Sequence, residues 1–376
     1  MFLARQSRRW IVYLSILAIA FVAWRWLTPL ATAISVNANA APIKIAVSQT
    51  PLSSPFYLAD QLGFFKQQGI DVELVACSGG VQCSQALFQG AVSYATASES
   101  VAMFSSFERQ DFLILASFVQ SDNDLKLLAL ESETIRSVAD LHNKRVGMIR
   151  ASASEFYFDS LLLANNLKGI PIDKVYGTAD QLYQQLFDKQ LDAISIWEPW
   201  GYKIGVAAES KVTNLSLPGI YTLSFNLLTM KPTTEEEKQR SLAILKALKQ
   251  AIDWIHQNPE RTRYRVAGVL NIDEKQLRWS WQDYSFRLSL GNTLLTNLQL
   301  QGRWALENKL VHGQLPDYRQ LMADDLLSEA VKNDGGQLDQ LIKPQNDVTV
   351  YCITAVSWFY CFLITELRSA AAANQC

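Results

Sequence analysis

The residues best placed to do chemistry in this chain of 376 amino acids are small, hydroxylic and set in turns. Gln49-Thr50-Pro51-Leu52-Ser53-Ser54, Ser78-Gly79-Gly80, Ala97-Ser98-Glu99-Ser100 and Ala151-Ser152-Ala153-Ser154 each follow a β-like run and precede a helical one. A helix start leaves backbone N–H groups unpaired and carries the positive end of the helix dipole. A serine beside it adds a donor, so several such starts converging would hold an oxyanion without Arg or Lys. Any one turn alone reads as an N-cap; four in register across two units point to a site. Phe56, Tyr57, Phe156, Tyr157, Trp197 and Trp200 are candidate walls, with Trp197 favoured because it ends a strand beside Pro199. Glu99 and Glu198 either meet a ligand amine or lie outside the cleft, since two inward carboxylates would repel an anion.

Catalytic chemistry is hard to find. His142, His256 and His312 are the only histidines, and none belongs to a metal-spaced pair or a recognisable triad. No G-x-S-x-G elbow, phosphate-binding P-loop or dinucleotide fingerprint occurs. No Cys-x-x-Cys or Cys/His cluster has zinc spacing. The expectation is a protein that is not an enzyme and that uses no cofactor or metal. Cys77 and Cys83 flank the Gly-rich turn; in an exported protein a disulfide there would stiffen it, the alternative being two free thiols.

Composition bounds the class. Hydrophobic residues make up 49% of the chain, with 17 Phe, 13 Tyr and 10 Trp, which excludes disorder as the main state. The net charge of −2 offers no basic excess for nucleic acid. Long uncharged apolar runs occur only at the two ends, which excludes a multi-span membrane protein. Residues 1–40 hold four arginines and no acid, with an apolar run and then small residues ending in Ala38-Asn39-Ala40. This is the layout of a signal peptide or, if uncleaved, an N-terminal membrane anchor. Either way the residues from 41 on are expected to leave the cytoplasm. Residues 348–365 form an 18-residue uncharged stretch, read as an apolar tail or a second membrane segment.

The elements that must position these turns alternate. Residues 44–47, 71–75, 92–96, 112–118 and 126–130 read as strands, with helices over 55–68 and 82–88 between them. The order repeats with strands at 145–149, 174–176 and 193–196 and helices at 156–165 and 179–188. From Thr233 the chain turns helical, opening on a Thr234/Glu237 capping box. This β-α-β-α order implies α/β lobes with mostly parallel sheets flanked by helices, set around a cleft.

Several motifs carry a family resemblance: Pro55-Phe56-Tyr57-Leu58-Ala59-Asp60, Gly69-Ile70-Asp71-Val72, Ser78-Gly79-Gly80, Ser137-Val138-Ala139-Asp140-Leu141 and Trp197-Glu198-Pro199. Over about residues 43–350 the chain resembles the periplasmic substrate-binding proteins of ABC importers of the nitrate/sulfonate/taurine and thiamine-precursor type. The resemblance implies a two-lobed Venus-flytrap fold, with lobe 1 from 43–128 plus 224–350, lobe 2 from 129–223, and 351–376 beyond the family's usual end. It implies capture of a small organic oxyanion or zwitterion by cleft closure, and delivery to a membrane permease by a monomer in the periplasm. The family's ligand loops map onto Gln49, Ser53, Ser54, Ser78, Gly79, Ser98, Glu99, Ser152, Ser154, Trp197 and Glu198. Three turns depart from the family's pattern: Gly90-Ala91-Val92-Ser93 lacks its usual acid, Asn143 replaces a usual Gly, and Ala151-Ser152-Ala153-Ser154 replaces Gly-Ser-Ser. The competing readings are a membrane-anchored ligand sensor and a relative that binds or makes a thiamine pyrimidine precursor.

Overall fold

Two sheets organise the computed structural model, which describes residues 41–332; the segments 1–40 and 348–365 singled out above lie outside the described residues. The first sheet begins with β1 (Ile43–Ser48), β2 (Val72–Cys77), β3 (Tyr94–Ser98) and β4 (Phe112–Ser121). The chain crosses to the second sheet for β5 (Leu125–Leu130), β6 (Arg145–Met148), β7 (Asp173–Tyr176), β8 (Ala193–Trp197) and β9 (Val212–Asn214). It then returns for β10 (Leu223–Met230) and β11 (Ser285–Ser289). The orders are β11-β4-β10-β3-β1-β2 and β7-β6-β8-β5-β9. In each sheet one strand has parallel neighbours on both sides, β1 between β2 and β3 and β6 between β7 and β8. The crossing strands β4, β5 and β10 pair antiparallel.

Helices α1 (Ser54–Gln61), α2 (Phe64–Gln67), α3 (Gly80–Phe88) and α4 (Glu99–Glu108) belong to the first pass through lobe 1. Lobe 2 holds α5 (Ala153–Ala164), α6 (Ala179–Phe187) and α7 (Trp200–Ala207). The return adds α8 (Glu235–Gln257), α9 (Pro259–Leu270), α10 (Glu274–Trp281), α11 (Asn292–Glu307) and α12 (Asp324–Lys332). The expected helix over 55–68 is broken at Gly63, whose φ of 72° ends α1. The capping box at Thr234 and Glu237 opens α8 as the sequence indicates. Among the described residues one compact unit runs to Leu327. Among the described residues no helix is long and apolar enough to cross a membrane.

Each lobe packs its own core. Lobe 1 buries Phe112, Ile114, Leu228, Leu294 and Leu298; lobe 2 buries Leu128, Leu182, Leu186, Ile194 and Ile204. At about 2 kcal/mol for each such side chain, packing rather than helix propensity holds the helices to their sheets. Strand β5 pairs with β8 and β9, so the first crossing lies at residues 122–124, earlier than the expected boundary at 128. The return at β10 starts at Leu223, against the expected 224.

A disulfide joins Cys77, the last residue of β2, to Cys83 in α3, with the Cα atoms 5.5 Å apart. It pins the turn on which Ser78 and Gly79 stand. Closing so short a loop restricts the unfolded chain by about 2 kcal/mol. Cys77→Ser is therefore expected to lower the unfolding free energy by that amount in urea titrations under oxidising conditions. An unchanged midpoint would mean that the bond adds nothing to stability.

Candidate functional site

The parallel strands bring three lobe 1 turns together at their carboxyl ends. The Gln49 amide donates to Cys77 O at 3.2 Å, and the Ser48 amide to Thr96 Oγ1 at 2.9 Å. Gly79 has a φ of 85°, and any Cβ on Gly80 would sit 2.9 Å from Ala97 Cα. Glycine at both positions thus lets the second turn lie directly against the third. Ser98 caps α4 by accepting from the Val101 amide.

The loop after β1 holds an unusual set of groups. Ser48 and Ser53 are completely buried, yet Ser48 Oγ, Ser53 Oγ and Thr50 Oγ1 have no hydrogen-bond partner. Ser53 is also the N-cap residue of α1 without a side-chain capping bond. A buried hydroxyl left unpaired costs about 1–3 kcal/mol. Ser54, buried beside them, donates to Pro51 O, while Gln49 is exposed. Sequence reasoning reached Ser53 but missed Ser48 and Thr50. The available signal was a hydroxyl residue ending an otherwise apolar central strand.

The lobe 2 turn is built differently, because its hydroxyls serve the turn itself. Ser152 Oγ donates to Ile149 O and accepts from the Ser154 amide, and Ser154 Oγ accepts from the Ile149 amide. Buried Glu155 locks the turn: it accepts from the Ala151 amide at 2.8 Å and from Tyr176 Oη at 2.6 Å, with Lys174 at 3.4 Å. Ala151 has a φ of 52° and Asn143 a φ of 59°. The left-handed backbone that glycine usually supplies is thus kept at two of the three departures from the family pattern. Asn tolerates it well; Ala does so at a cost.

Tyr221, on the return crossing, ties the turns of the two lobes together. Its hydroxyl donates to Glu99 in lobe 1, and its ring lies 5.5 Å from that of Phe156 in lobe 2. Phe156 also packs on Trp304 of α11 at 5.3 Å, and Trp304 Nε1 donates to Asp159 Oδ2 at 2.9 Å. The starts of α4 and α5 therefore meet across the gap between the lobes. Of the expected aromatic walls, only Phe156 takes part in this junction. Phe56 is a core residue against Phe118, and Tyr57 Oη donates to Ser48 O. Tyr157 is buried under Leu217, whose amide it receives, and Trp200 packs in an outer groove against Tyr183 and Lys203.

The two candidate carboxylates both serve the protein's interior. Glu99 is fully buried and accepts from Tyr221, the Ser224 amide, Ser224 Oγ and Gln301 Nε2. Burial pushes its carboxyl above the usual range, and the hydrogen bonds pull it part of the way back. Glu198 accepts from Trp279 Nε1 and the Tyr202 amide, both at 2.9 Å. Trp197 is half-buried at the end of β8, paired with Leu125 beside the first crossing. Among the described residues no group of His, Cys, Asp and Glu has the arrangement of a metal site.

Two lobes of mixed α/β sheet, joined by two crossings with helix starts meeting between them, define the periplasmic binding protein fold. Solved structures share it. The periplasmic aliphatic sulphonate binding protein SsuA from Escherichia coli aligns with a TM-score of 0.64 at 17% identity, over 74% of this chain and 91% of that one. The alkanesulfonate-binding protein SsuA from Xanthomonas axonopodis pv. citri, bound to MOPS, aligns at 0.61 and 17% identity, over 77% and 99%. A mutant of DSZB in complex with biphenyl-2-sulfinic acid aligns at 0.57 and 14% identity, over 78% and 100%. No curated protein matches at the level of sequence. The profile of the NMT1/THI5 like family matches residues 50–262, and the chain belongs to that family.

Because Ala151 holds a left-handed backbone, Ala151→Gly is expected to stabilise the protein by about 0.5–1 kcal/mol. A thermal scan at neutral pH checks this. A lowered midpoint would mean that the turn is unstrained.

Proposed function

We propose that this chain is an extracytoplasmic solute-binding protein that holds a small organic oxyanion, sulfonate-like or zwitterionic, between its lobes and hands it unaltered to an ABC importer. The observation that carries this reading is the set of buried, unpartnered hydroxyls Ser48, Thr50 and Ser53 beside the start of α1. Three donors kept from water and from other protein groups are matched by a ligand with several acceptor oxygens. The ligand set is then Ser48, Thr50 and Ser53 with the turns carrying Ser54, Ser78 and Gly79, Ser98, and Ser152 with Ser154. In the lobe 2 turn the backbone contributes more than the hydroxyls, since the latter already have partners. Glu99 and Glu198 support the site from behind, and Trp197 and Phe156 flank it.

The neighbours support the ligand class: one is an aliphatic sulphonate binding protein, one is bound to MOPS and one to biphenyl-2-sulfinic acid, all sulfur oxyanions. Closure rests on contacts that exist only while the lobes touch, Trp304 with Asp159 and with Phe156. A ligand that favours the touching state shifts the population towards it. The site offers positioning and hydrogen bonding but no nucleophile with a neighbouring base, so binding without turnover is the reading that fits.

Calorimetric titration with taurine, MOPS, nitrate, bicarbonate and a hydroxymethylpyrimidine tests the class. A sulfonate is expected to bind, and exclusive binding of the pyrimidine would overturn the oxyanion reading. Ser48→Ala with Ser53→Ala should weaken the bound sulfonate at least tenfold, about 1.4 kcal/mol. The same pair should leave thermal stability unchanged or raised, because neither hydroxyl has a partner to lose. Unaltered affinity would remove this loop from the site.

A further inference from the structure

The first crossing packs against α10 and the end of β8 around a cavity of about 240 Å³, lined from both lobes by Asn123, Lys126, Glu198, Gly201, Trp279 and Asp283 among others. No residue of the serine-bearing turns lines it. Side-chain bonds run across it between the lobes: Trp279 Nε1 donates to Glu198 Oε1 at 2.9 Å, and the Trp279 and Tyr202 rings lie 6.2 Å apart. Tyr284 Oη donates to Asp124 Oδ1 at 3.3 Å, and Asn123 Nδ2 to Asp283 Oδ2 at 2.9 Å. The Glu198 amide donates to Asp124 O at 3.1 Å. Gly201 is required here, because a Cβ would lie 2.7 Å from Glu198 Oε1 and 3.0 Å from Lys126 Cγ.

The charges in this cluster do not balance. Asp124, Lys126 and Glu198 are each at most 5% exposed. Asp124 and Glu198 share the field of one ammonium, Lys126, which donates to Asn123 O and Oδ1, while Asp283 adds a further negative charge. Burial of Asp124 and Glu198 weakens the screening of their charges by bulk water.

We propose that this cluster is a proton-linked brace on the hinge: with Asp124 protonated, the lobes stay clamped at Trp279–Glu198, and loss of that proton sets a second buried negative charge beside Glu198 and loosens the clamp. Asp124 is pushed up to about 8, by burial first and by the charge of Glu198 second, with Lys126 and the Tyr284 hydrogen bond opposing and Asp283 adding to the rise. Burial also raises Glu198. Tyr284 is held well above its ordinary value, chiefly by burial and then by Asp124, so it remains a donor throughout. An open hinge with Asp124 in water would return it to near 4. Between those two values the clamped state binds the extra proton. Its advantage is therefore complete at low pH, declines as pH rises, and stops changing above about 8. The device would couple retention of the solute to ambient acidity, and it does not depend on which solute the serine turns hold.

Amide hydrogen exchange on the ligand-free full chain, corrected for the intrinsic pH dependence of exchange, tests the brace. Protection of peptides covering 198–203 and 277–284 is expected to fall at least tenfold between pH 6 and 8 and then level off, within the limit of tenfold per pH unit for one linked proton. Asp124→Asn should give a flat profile. Glu198→Gln, which removes the neighbouring charge, should make the levelling begin at a lower pH, and this variant decides the matter if Asp124→Asn does not fold. A flat wild-type profile, a slope surviving in Asp124→Asn, or an unmoved levelling point in Glu198→Gln would each overturn the proposal. So would an equal loss of protection in β1, which would show the proton acting on the whole fold rather than on the hinge.

Discussion

Hydroxyl groups sealed from water without a partner are the feature on which the reading of this protein turns. Most buried polar groups in proteins are paired, and a native chain keeps an exception only where something else compensates. Here three exceptions fall within six residues, at Ser48, Thr50 and Ser53. They sit where the carboxyl end of a central parallel strand meets a helix start, the position at which α/β sheets accept ligands. The rest of the architecture serves to hold that loop still. Gly79 and Gly80 admit the neighbouring turn, the disulfide pins it, and Thr96 anchors the Ser48 amide.

The facing lobe solves the opposite problem. Its turn is made rigid from inside, with Ser152, Ser154 and Glu155 spending their hydrogen bonds on one another and on the backbone. One side of the junction thus carries unspent donors and the other a preset backbone. Three glutamates near the helix starts, Glu99, Glu155 and Glu198, all turn inward and accept hydrogen bonds from the protein.

Much of the fold was legible in the sequence. The parallel strands β1, β2, β3, β6, β7 and β8 were all read, most plainly β1, β2 and β3, whose apolar character ends in small polar turns. The crossing strands β4 and β5 were read as well, but β9, β10 and β11 were not. β9 has three residues and β11 five, too short to stand out beside helical stretches, and β10 was overlooked although Pro218-Gly219 and Pro232 frame it. The boundary at the first crossing was placed too late because the polar break at 120–124 reads as an ordinary turn between two strands, and only pairing shows that the chain changes sheets at 122–124. At the site, the turns were visible but the state of each hydroxyl was not. Whether a serine is spent or free depends on partners distant in sequence, as with Glu99 and Tyr221, which lie 122 residues apart.

The antiparallel pairing of β4 with β10 spans the whole of the second lobe. All five strands of lobe 2 lie between Leu125 and Asn214, so that half can complete itself as soon as its last strand exists. Lobe 1 cannot, since β4 has no neighbour until β10 and β11 have been made. During synthesis the N-terminal portion must therefore wait with an open sheet edge while a later portion finishes first. That order of assembly keeps the first sheet incomplete until β10 and β11 have been made.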